Sequence, residues 1–316
     1  MKCRNNKINC NNQKIKTSKE DKYMELINFV ATDGIKLNGI LFSKERKSET
    51  VILSIHGMSS NCMKEREQII AKIADDNGID YFSFNNRGSE LIKYIEKDID
   101  DKKEKTLGGT AYEDVLEGYE DITGAIIKLK ELGYKNIYLQ GHSLGCTKIV
   151  YTYNELLEEN DDMLKNIKGI ILLSLVDIPK MIKLYLGEKY VKYLEYAKEK
   201  ESKNRLDEIM PKESFIHPIS VRTFLRYVKY NEQIDFADFD NDNNLIKLNN
   251  ITIPLFMRWG NKNEMITQKA DQLVNRLNNV IVNPKKNINY IDGANHSYQD
   301  KEKEVAEQII QFINEY

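Results

Sequence analysis

The chain has 316 residues, of which 41% are hydrophobic and 30% are charged, and its formal net charge at pH 7 is −2. This composition is typical of a globular protein large enough to bury a substantial core. The balanced charge argues against a nucleic-acid partner. No apolar run approaches the ~20 residues that an integral membrane segment needs.

The N-terminal residues 1–23 are polar and rich in Lys and Asn, and they contain no apolar stretch of the kind found in a signal peptide. We expect a disordered tail here and a cytoplasmic protein. The four cysteines, Cys3, Cys10, Cys62 and Cys146, show no metal-ligand spacing and are expected to be free thiols. A Cys3–Cys10 disulfide is the alternative, and the sequence shows no metal or cofactor motif.

Strand and helix patterns alternate along most of the chain. Two strand-like runs, Glu25–Thr32 and Ile35–Phe42, are joined at Asp33-Gly34, which is typical of a β-hairpin. Short apolar runs then predict buried strands at Val51–Ile55, Asp80–Phe84, Ile137–Gln140, Gly169–Val176, Ile253–Trp259 and Asn287–Ile291. Helical periodicity between them predicts an α/β fold, with a mostly parallel central sheet flanked by helices and antiparallel strands at one edge.

Residues 178–250 interrupt this alternation with an amphipathic, tyrosine-rich stretch followed by a charged segment. We interpret them as a helical cap inserted between two parts of the core, residues 24–177 and 251–316. Two additional surface helices are the alternative. Residues 89–109 are polar and lysine-rich and are expected to leave the sheet.

The segment Gly141-His142-Ser143-Leu144-Gly145 matches the pattern G-x-S-x-G between a predicted strand and a predicted helix. A sharp turn at this place lifts a serine hydroxyl above the sheet, and only small residues fit beside it. The following helix directs its N-terminal N–H groups at the reacting carbonyl. The pattern therefore predicts Ser143 as a nucleophile.

Three further motifs accompany this turn: His56-Gly57-Met58, Asn86-Arg87-Gly88 and Gly293-Ala294-Asn295-His296. With them the chain resembles the esterase/lipase-like serine hydrolases of the α/β-hydrolase fold. The resemblance implies a triad in the order serine, acid, histidine. It also implies an oxyanion hole formed by the backbone amides of Met58 and Leu144.

His296 occupies the position of the catalytic histidine in this resemblance, because it lies between the last strand and the last helix. His56 and His142 resemble structural positions of the family, and His217 lies in the expected cap. A neutral imidazole at His296 is able to accept the proton of the nucleophile and return it to the leaving group.

The acid departs from the family pattern, which usually has Asp where this chain has Asn263. Glu264 is the leading candidate because it is one residue further and has a longer reach. Asp177, at the end of the strand before the cap, is the alternative acid. Asp292 is too near His296 in sequence and is assigned to the turn.

These residues favour a serine hydrolase that cleaves a carboxylic ester of a small-molecule acyl substrate through an acyl-enzyme on Ser143. Thioesterases, peptidases and acyltransferases use the same triad, so these activities remain alternatives. A ligand-binding protein with impaired catalysis is a further alternative, motivated by Asn263. The sequence does not indicate an oligomeric state.

Overall fold

The computed structural model describes residues 14–16, 23–44, 48–99, 102–241 and 245–316. Within these ranges the strands in chain order are β1 (Lys14–Lys16), β2 (Tyr23–Val30), β3 (Lys36–Phe42), β4 (Thr50–Ile55), β5 (Asp80–Asn85), β6 (Lys93–Ile99), β7 (Lys102–Gly108), β8 (Asn136–His142), β9 (Ile167–Leu173), β10 (Leu255–Gly260) and β11 (Lys286–Ile291). Apart from β1 and the start of β2, the expected N-terminal tail lies outside the described residues, as do Cys3 and Cys10.

The helices in the same ranges are α1 (Glu65–Asp76), α2 (Gly118–Glu131), α3 (Leu144–Glu159), α4 (Ile178–Leu186), α5 (Tyr190–Ser202), α6 (Val221–Val228), α7 (Ile246–Asn249), α8 (Ala270–Val280) and α9 (Glu302–Glu315). None of these helices has the length and apolarity needed to cross a membrane.

The central sheet of the described residues has nine strands in the spatial order β1-β2-β3-β5-β4-β8-β9-β10-β11. From β5 to β11 every pair of neighbours is parallel. From β1 to β5 every pair is antiparallel, including the β2–β3 hairpin that turns at Asp33-Gly34. The predicted mostly parallel sheet with an antiparallel edge is therefore confirmed.

Helices cover both faces of this sheet, which explains why its central strands are mainly apolar. In β4, Ile52 packs in one core cluster, together with residues of α1 and α9 such as Ile70 and Ile309. Its neighbours Val51 and Leu53 pack in the other cluster, with residues of α2, α3 and α8. Because side chains alternate along a strand, a strand buried on both faces is apolar at most positions instead of at every second one.

Two segments differ from their predicted form. Strand β9 ends at Leu173 instead of Val176, because Ser174 has a positive φ of 54° that breaks the extended backbone. The polar excursion at 89–109 contains the antiparallel pair β6–β7, which forms a separate two-stranded sheet. The helices α4 to α7 lie between β9 and β10, and we call residues 178–250 the inserted segment.

A buried ion pair ties helix α3 to the loop that precedes α2. Lys148 Nζ contacts Glu113 Oε1 and donates to Asn86 Oδ1 at 3.2 Å, and the Lys148 and Glu113 side chains are 2% and 1% exposed. The hydroxyl of Thr223 in α6 donates to the Glu113 carbonyl at 2.9 Å. The pair therefore joins the helix that follows Ser143 to the inserted segment.

Replacing Lys148 by Met is expected to destabilise the protein by about 3 kcal/mol, because it leaves the Glu113 carboxylate buried without its partner. Chemical denaturation at pH 7 measures this change. Lys165→Met is the matched control, since Lys165 and Asp162 form an ion pair with side chains 79% and 85% exposed. Equal losses in the two variants would show that burial of the Lys148 pair is not what matters.

Candidate active site

The residues singled out in the sequence converge at the carboxyl edge of the parallel strands. Ser143 follows β8, Met58 lies just beyond β4, Glu264 lies beyond β10, and His296 lies beyond β11. The carboxyl ends of neighbouring parallel strands lie at one edge of the sheet, where ligands of open α/β sheets bind. Residues distant in sequence are thereby brought into one place.

Ser143 occupies a sharp turn with φ 54° and ψ −122°, a conformation that is strained for any residue with a side chain. Glycine is required on both sides of Ser143 because other backbone atoms lie too close to leave room for a side chain. A Cβ on Gly145 would lie 2.2 Å from the Ile55 carbonyl oxygen, and one on Gly141 would lie 2.6 Å from the Cys146 nitrogen. The pattern G-x-S-x-G is thus explained by backbone contact. Among the described residues, no group forms a hydrogen bond with the Ser143 hydroxyl.

His296 contacts a buried carboxylate. Its Nδ1 is hydrogen bonded to Glu264 Oε1, and the Glu264 side chain is 2% exposed. Since the carboxylate occupies Nδ1, the opposite ring nitrogen is left for another partner. His296 and Ser143 line the same cavity.

Several donors hold the Glu264 carboxylate in place. Its Oε2 accepts the Ser174 hydroxyl at 2.7 Å and the Gly260 N–H at 2.9 Å, and its Oε1 accepts the Met265 N–H at 2.9 Å. Burial acts to raise the pKa of Glu264, but the hydrogen bonds and the electrostatic interaction with His296 outweigh it, and the pKa is lowered. The carboxylate is consequently ionised at neutral pH.

The residue before Glu264 has a conformational role. Asn263 has a φ of 47°, in the left-handed region that Asn tolerates better than most residues. It forms the turn that leads from β10 to Glu264. The position where the resemblance predicts an acid therefore carries a residue that tolerates the left-handed backbone of this turn.

The alternative acid, Asp177, does not contact His296. Its Oδ1 accepts the Lys180 N–H at 3.0 Å and so caps the N-terminus of α4, while its Oδ2 is buried without a partner among the described residues. Burial, with smaller effects from Asp238 and Asp235, raises its pKa to about 7. Asp292 accepts a hydrogen bond from the Asn261 side chain at 2.7 Å, within the turn.

The backbone N–H groups of Met58 and Leu144 are both without an acceptor in the described part of the chain. Leu144 is the first residue of α3, where the helix leaves its N–H groups unpaired and contributes a partial positive charge. Met58 lies in the turn after β4, which packs closely on the turn at Ser143: a Cβ on Gly57 would lie 3.0 Å from the Ser143 Cβ.

A cavity of about 540 Å³ opens above Ser143, a volume suited to a small molecule. The inserted segment and the loop after Glu264 supply an apolar wall, made of Ile178, Met181, Ile182, Tyr185, Phe215, Ile216 and Met265. The start of α1 and the loop after His296 supply a polar wall, which includes Lys64, Arg66, Ser297 and Gln299.

Comparison with known proteins now decides the family. Residues 108–316, which include Ser143, Glu264 and His296, match the family model DUF1749, described as a protein of unknown function. The chain belongs to the DUF1749 family. A comparison with curated proteins gives no match.

Solved structures resemble this DUF1749 protein along nearly its whole length. Est1E of Butyrivibrio proteoclasticus with bound ferulic acid has 16% identity and a TM-score of 0.60, covering 91% of this chain and 98% of its own. The Pyrococcus furiosus esterase Pf2001 has 17% identity and a TM-score of 0.58, covering 93% and 91%. A soluble variant of monoglyceride lipase from Saccharomyces cerevisiae has 15% identity and a TM-score of 0.59, covering 95% and 97%. The α/β-hydrolase fold is confirmed.

Two other histidines of the DUF1749 protein support the site and remain neutral. Burial lowers the pKa of His142 well below its usual value, so the ring is neutral at pH 7. Its Nε2–H donates to the His296 carbonyl at 2.7 Å and helps to orient the loop that carries His296. Burial also lowers the pKa of His56, to about 3, and its Nδ1–H donates to the Gly57 carbonyl at 2.8 Å.

The Cys146 thiol, which the sequence predicts to be free, is buried and donates to the Leu173 carbonyl. Burial raises its pKa, so the thiol stays protonated at neutral pH.

Sequence reasoning missed three contributors. Ser174 and Tyr298 form a buried pair beside Glu264, with 3.0 Å between the two hydroxyl oxygens. His217 lines the cavity and contacts Ser59, 158 residues away in the chain. Only the positive φ of Ser174 and Tyr298 marks them as unusual, and that property is not visible in sequence.

Asp177→Asn is expected to become more stable than wild type as the pH rises. Because the folded-state pKa of about 7 lies above the usual 3.8, the wild type loses stability as the pH rises from about 4 to about 7. Asn keeps an oxygen for the Lys180 N–H and does not ionise. We expect its advantage to grow by about 1–2 kcal/mol between pH 5 and pH 8.

Urea denaturation at the two pH values measures this effect. Asp162→Asn is the control. Asp162 is exposed and its hydrogen bond to Lys165 lowers its pKa, so replacing it is not expected to increase the stability of the protein between pH 5 and pH 8. An Asp177→Asn advantage that is the same at pH 5 and pH 8 would contradict the prediction.

Proposed function

We propose that this protein is a serine hydrolase that cleaves a carboxylic ester, or a related acyl bond, through an acyl-enzyme intermediate on Ser143. One observation carries the proposal. Ser143, on a strained turn, shares a cavity with His296, and the Nδ1 of His296 is hydrogen bonded to the buried carboxylate of Glu264. A nucleophile, a base and an orienting acid in this relation are the basis of acyl transfer.

In the first step, His296 Nε2 takes the proton of Ser143 while Oγ bonds to the substrate carbonyl carbon. The N–H groups of Met58 and Leu144 stabilise the negative oxygen that develops. The carbon–oxygen bond to the leaving alcohol then breaks, and His296 returns the proton to that alcohol. Glu264 stabilises the imidazolium throughout and keeps its ring in position.

In the second step, water replaces the alcohol. His296 takes a proton from water, whose oxygen bonds to the acyl carbon, and a second oxyanion forms between the same N–H groups. The bond to Ser143 Oγ breaks, and the proton passes from His296 to Ser143. The free acid leaves and the enzyme returns to its starting state, so no cofactor is consumed.

The volume and the lining of the cavity favour an acyl group that is apolar and of small to medium size. Its volume of about 540 Å³ suits a drug-sized molecule, and its apolar wall from the inserted segment lies beside Ser143. Ferulic acid, found bound to Est1E, is an aromatic carboxylic acid and supports the inclusion of aromatic esters among trial substrates. We propose that the inserted segment acts as the cap that selects the acyl group.

The contact between Glu264 and His296 also weakens the main alternative. A ligand-binding protein with impaired catalysis was suggested by Asn263, at the position where a carboxylate is usual. Glu264 supplies that carboxylate one residue later, with the required contact. An ordered His–carboxylate pair in the same cavity as Ser143 serves catalysis better than simple binding.

Wild type is expected to hydrolyse p-nitrophenyl esters, with the highest kcat/KM at a chain length that fills the cavity, and Ser143→Ala is expected to lose at least about 10³-fold. Release of p-nitrophenol measures both. A fluorophosphonate probe should label wild type once, at Ser143, and should not label the variant. Reactions with added alcohol or thiol distinguish hydrolysis from acyl transfer, because hydrolysis releases only the free acid whereas acyl transfer forms a new ester or thioester.

A folded wild type that releases no product from any ester and is not labelled by the probe would exclude the serine hydrolase. The matched control is Ser202→Ala, because Ser202 ends α5 and its hydroxyl is exposed. This variant is expected to retain wild-type turnover and labelling.

Glu264→Gln is expected to lower kcat by about 10³–10⁴-fold, because the neutral amide cannot stabilise the imidazolium. Asp177→Asn is expected to stay within about threefold of wild type, because Asp177 caps α4 and does not contact His296. Steady-state kinetics on the best ester compare the two. A collapse of Asp177→Asn with little change in Glu264→Gln would move the acid to Asp177.

A further inference from the structure

Ser59 has an unusual conformation in the turn that follows β4. Its φ is 50°, in the left-handed region that favours glycine. The turn is closed by a hydrogen bond from the Ser60 N–H to the Gly57 carbonyl at 3.3 Å. Met58, whose N–H has no acceptor among the described residues, stands between Gly57 and Ser59. The Met58 N–H and the Gly57 carbonyl belong to one planar peptide group. The direction of that N–H therefore depends on the Ser60–Gly57 hydrogen bond, and so on the conformation held at Ser59.

Two side chains hold Ser59 in this conformation. The Ser59 N–H donates to Thr110 Oγ1 at 2.7 Å, and the Thr110 hydroxyl in turn donates to the Gly88 carbonyl at 3.0 Å. The Ser59 Oγ is hydrogen bonded to His217 Nε2 at 3.0 Å. The first contact comes from the core of the fold, whereas the second comes from the inserted segment.

His217 is itself held by its neighbours in the inserted segment. The ring of Phe215 stacks on Tyr227 of α6, with centroids 6.2 Å apart and planes at 17°. The Ser220 N–H donates to the Ala111 carbonyl at 2.7 Å, next to Thr110. The two contacts fix the chain on each side of His217. Burial lowers the pKa of His217 below its usual 6.5, so the ring is neutral at pH 7.

We propose that His217 is a positioning residue, whose hydrogen bond to Ser59 holds the turn that directs the Met58 N–H at the developing oxyanion. The inserted segment thus completes the oxyanion hole in addition to forming the wall of the cavity. This inference rests on the proposed serine hydrolase function. The hydrogen bond between Ser59 and His217 lies outside the proposed triad and affects catalysis through the position of the Met58 N–H.

The first test compares two substitutions of His217 on the best p-nitrophenyl ester. His217→Leu removes the hydrogen bond and is expected to lower kcat about tenfold with little change in KM, since an interaction made only in the transition state is weakened. His217→Gln places an uncharged amide near the position of Nε2 and is expected to stay within about threefold of wild type. Glu213→Gln, an exposed substitution in the same loop, is the control.

The second test uses Ser59→Gly, because glycine adopts a φ of 50° without strain and needs no side-chain contact to hold it. If His217 acts through Ser59, adding His217→Leu to Ser59→Gly is expected to change kcat by less than about threefold. The same tenfold loss in both backgrounds would show that His217 acts on the substrate directly and would overturn the proposal. An unchanged kcat in His217→Leu alone would also overturn it.

Amide hydrogen exchange of residues 57–60 supplies a measurement independent of turnover. Exchange at Ser59 is expected to quicken in His217→Leu and to keep its wild-type rate in Glu213→Gln. Wild type that is inert on esters defeats the function itself, whatever the exchange rates. Active wild type with unaltered exchange and kcat in His217→Leu defeats only the role of His217.

Discussion

The strained turn at Ser143 is the constraint on which the rest of the site depends. A residue with φ 54° and ψ −122° is stable only when its surroundings fix it on several sides. Here the Ser143 N–H donates to the Leu173 carbonyl of β9, and the Cys146 N–H donates to the Ser143 carbonyl. Gly145 packs directly on the Ile55 carbonyl of β4. The strands on either side of β8 therefore hold Ser143 in its strained conformation.

The same edge of the sheet carries two carboxyl groups whose surroundings differ. Glu264 receives donors from Gly260, Met265, Ser174 and His296, and its pKa falls despite burial. Asp177 receives one backbone N–H and lies near other acids, and its pKa rises to about 7. Burial alone thus does not decide the charge of a carboxyl group at this edge. The hydrogen bonds and neighbouring charges that favour or oppose the ionised form decide it together with burial.

Local patterns predicted most of the sheet, because two-sided burial produces continuous apolar runs and Asp33-Gly34 specifies a hairpin. The boundary of β9 was wrong, since Leu175 and Val176 are as apolar as the strand and only the φ of Ser174 ends it. The strands β6 and β7 were missed because their exposed residues are mostly charged.

For the site, Glu264 was the leading candidate for the acid because its longer side chain compensates for a shift of one residue. The contacts of Ser174 and His217 join residues 90 and 158 positions apart, so no local pattern reveals them.

The environment of each histidine separates the proposed base from the other three. Burial lowers the pKa of His56, His142 and His217, and each of them contacts a neutral group: the Gly57 carbonyl, the His296 carbonyl and the Ser59 hydroxyl, respectively. His296 contacts the carboxylate of Glu264. A base must become positively charged during acyl transfer, and an adjacent negative charge lowers the energy of that state. The neutral histidines are suited to hold neighbouring groups in place, whereas the carboxylate beside His296 suits that residue to the proposed role of base.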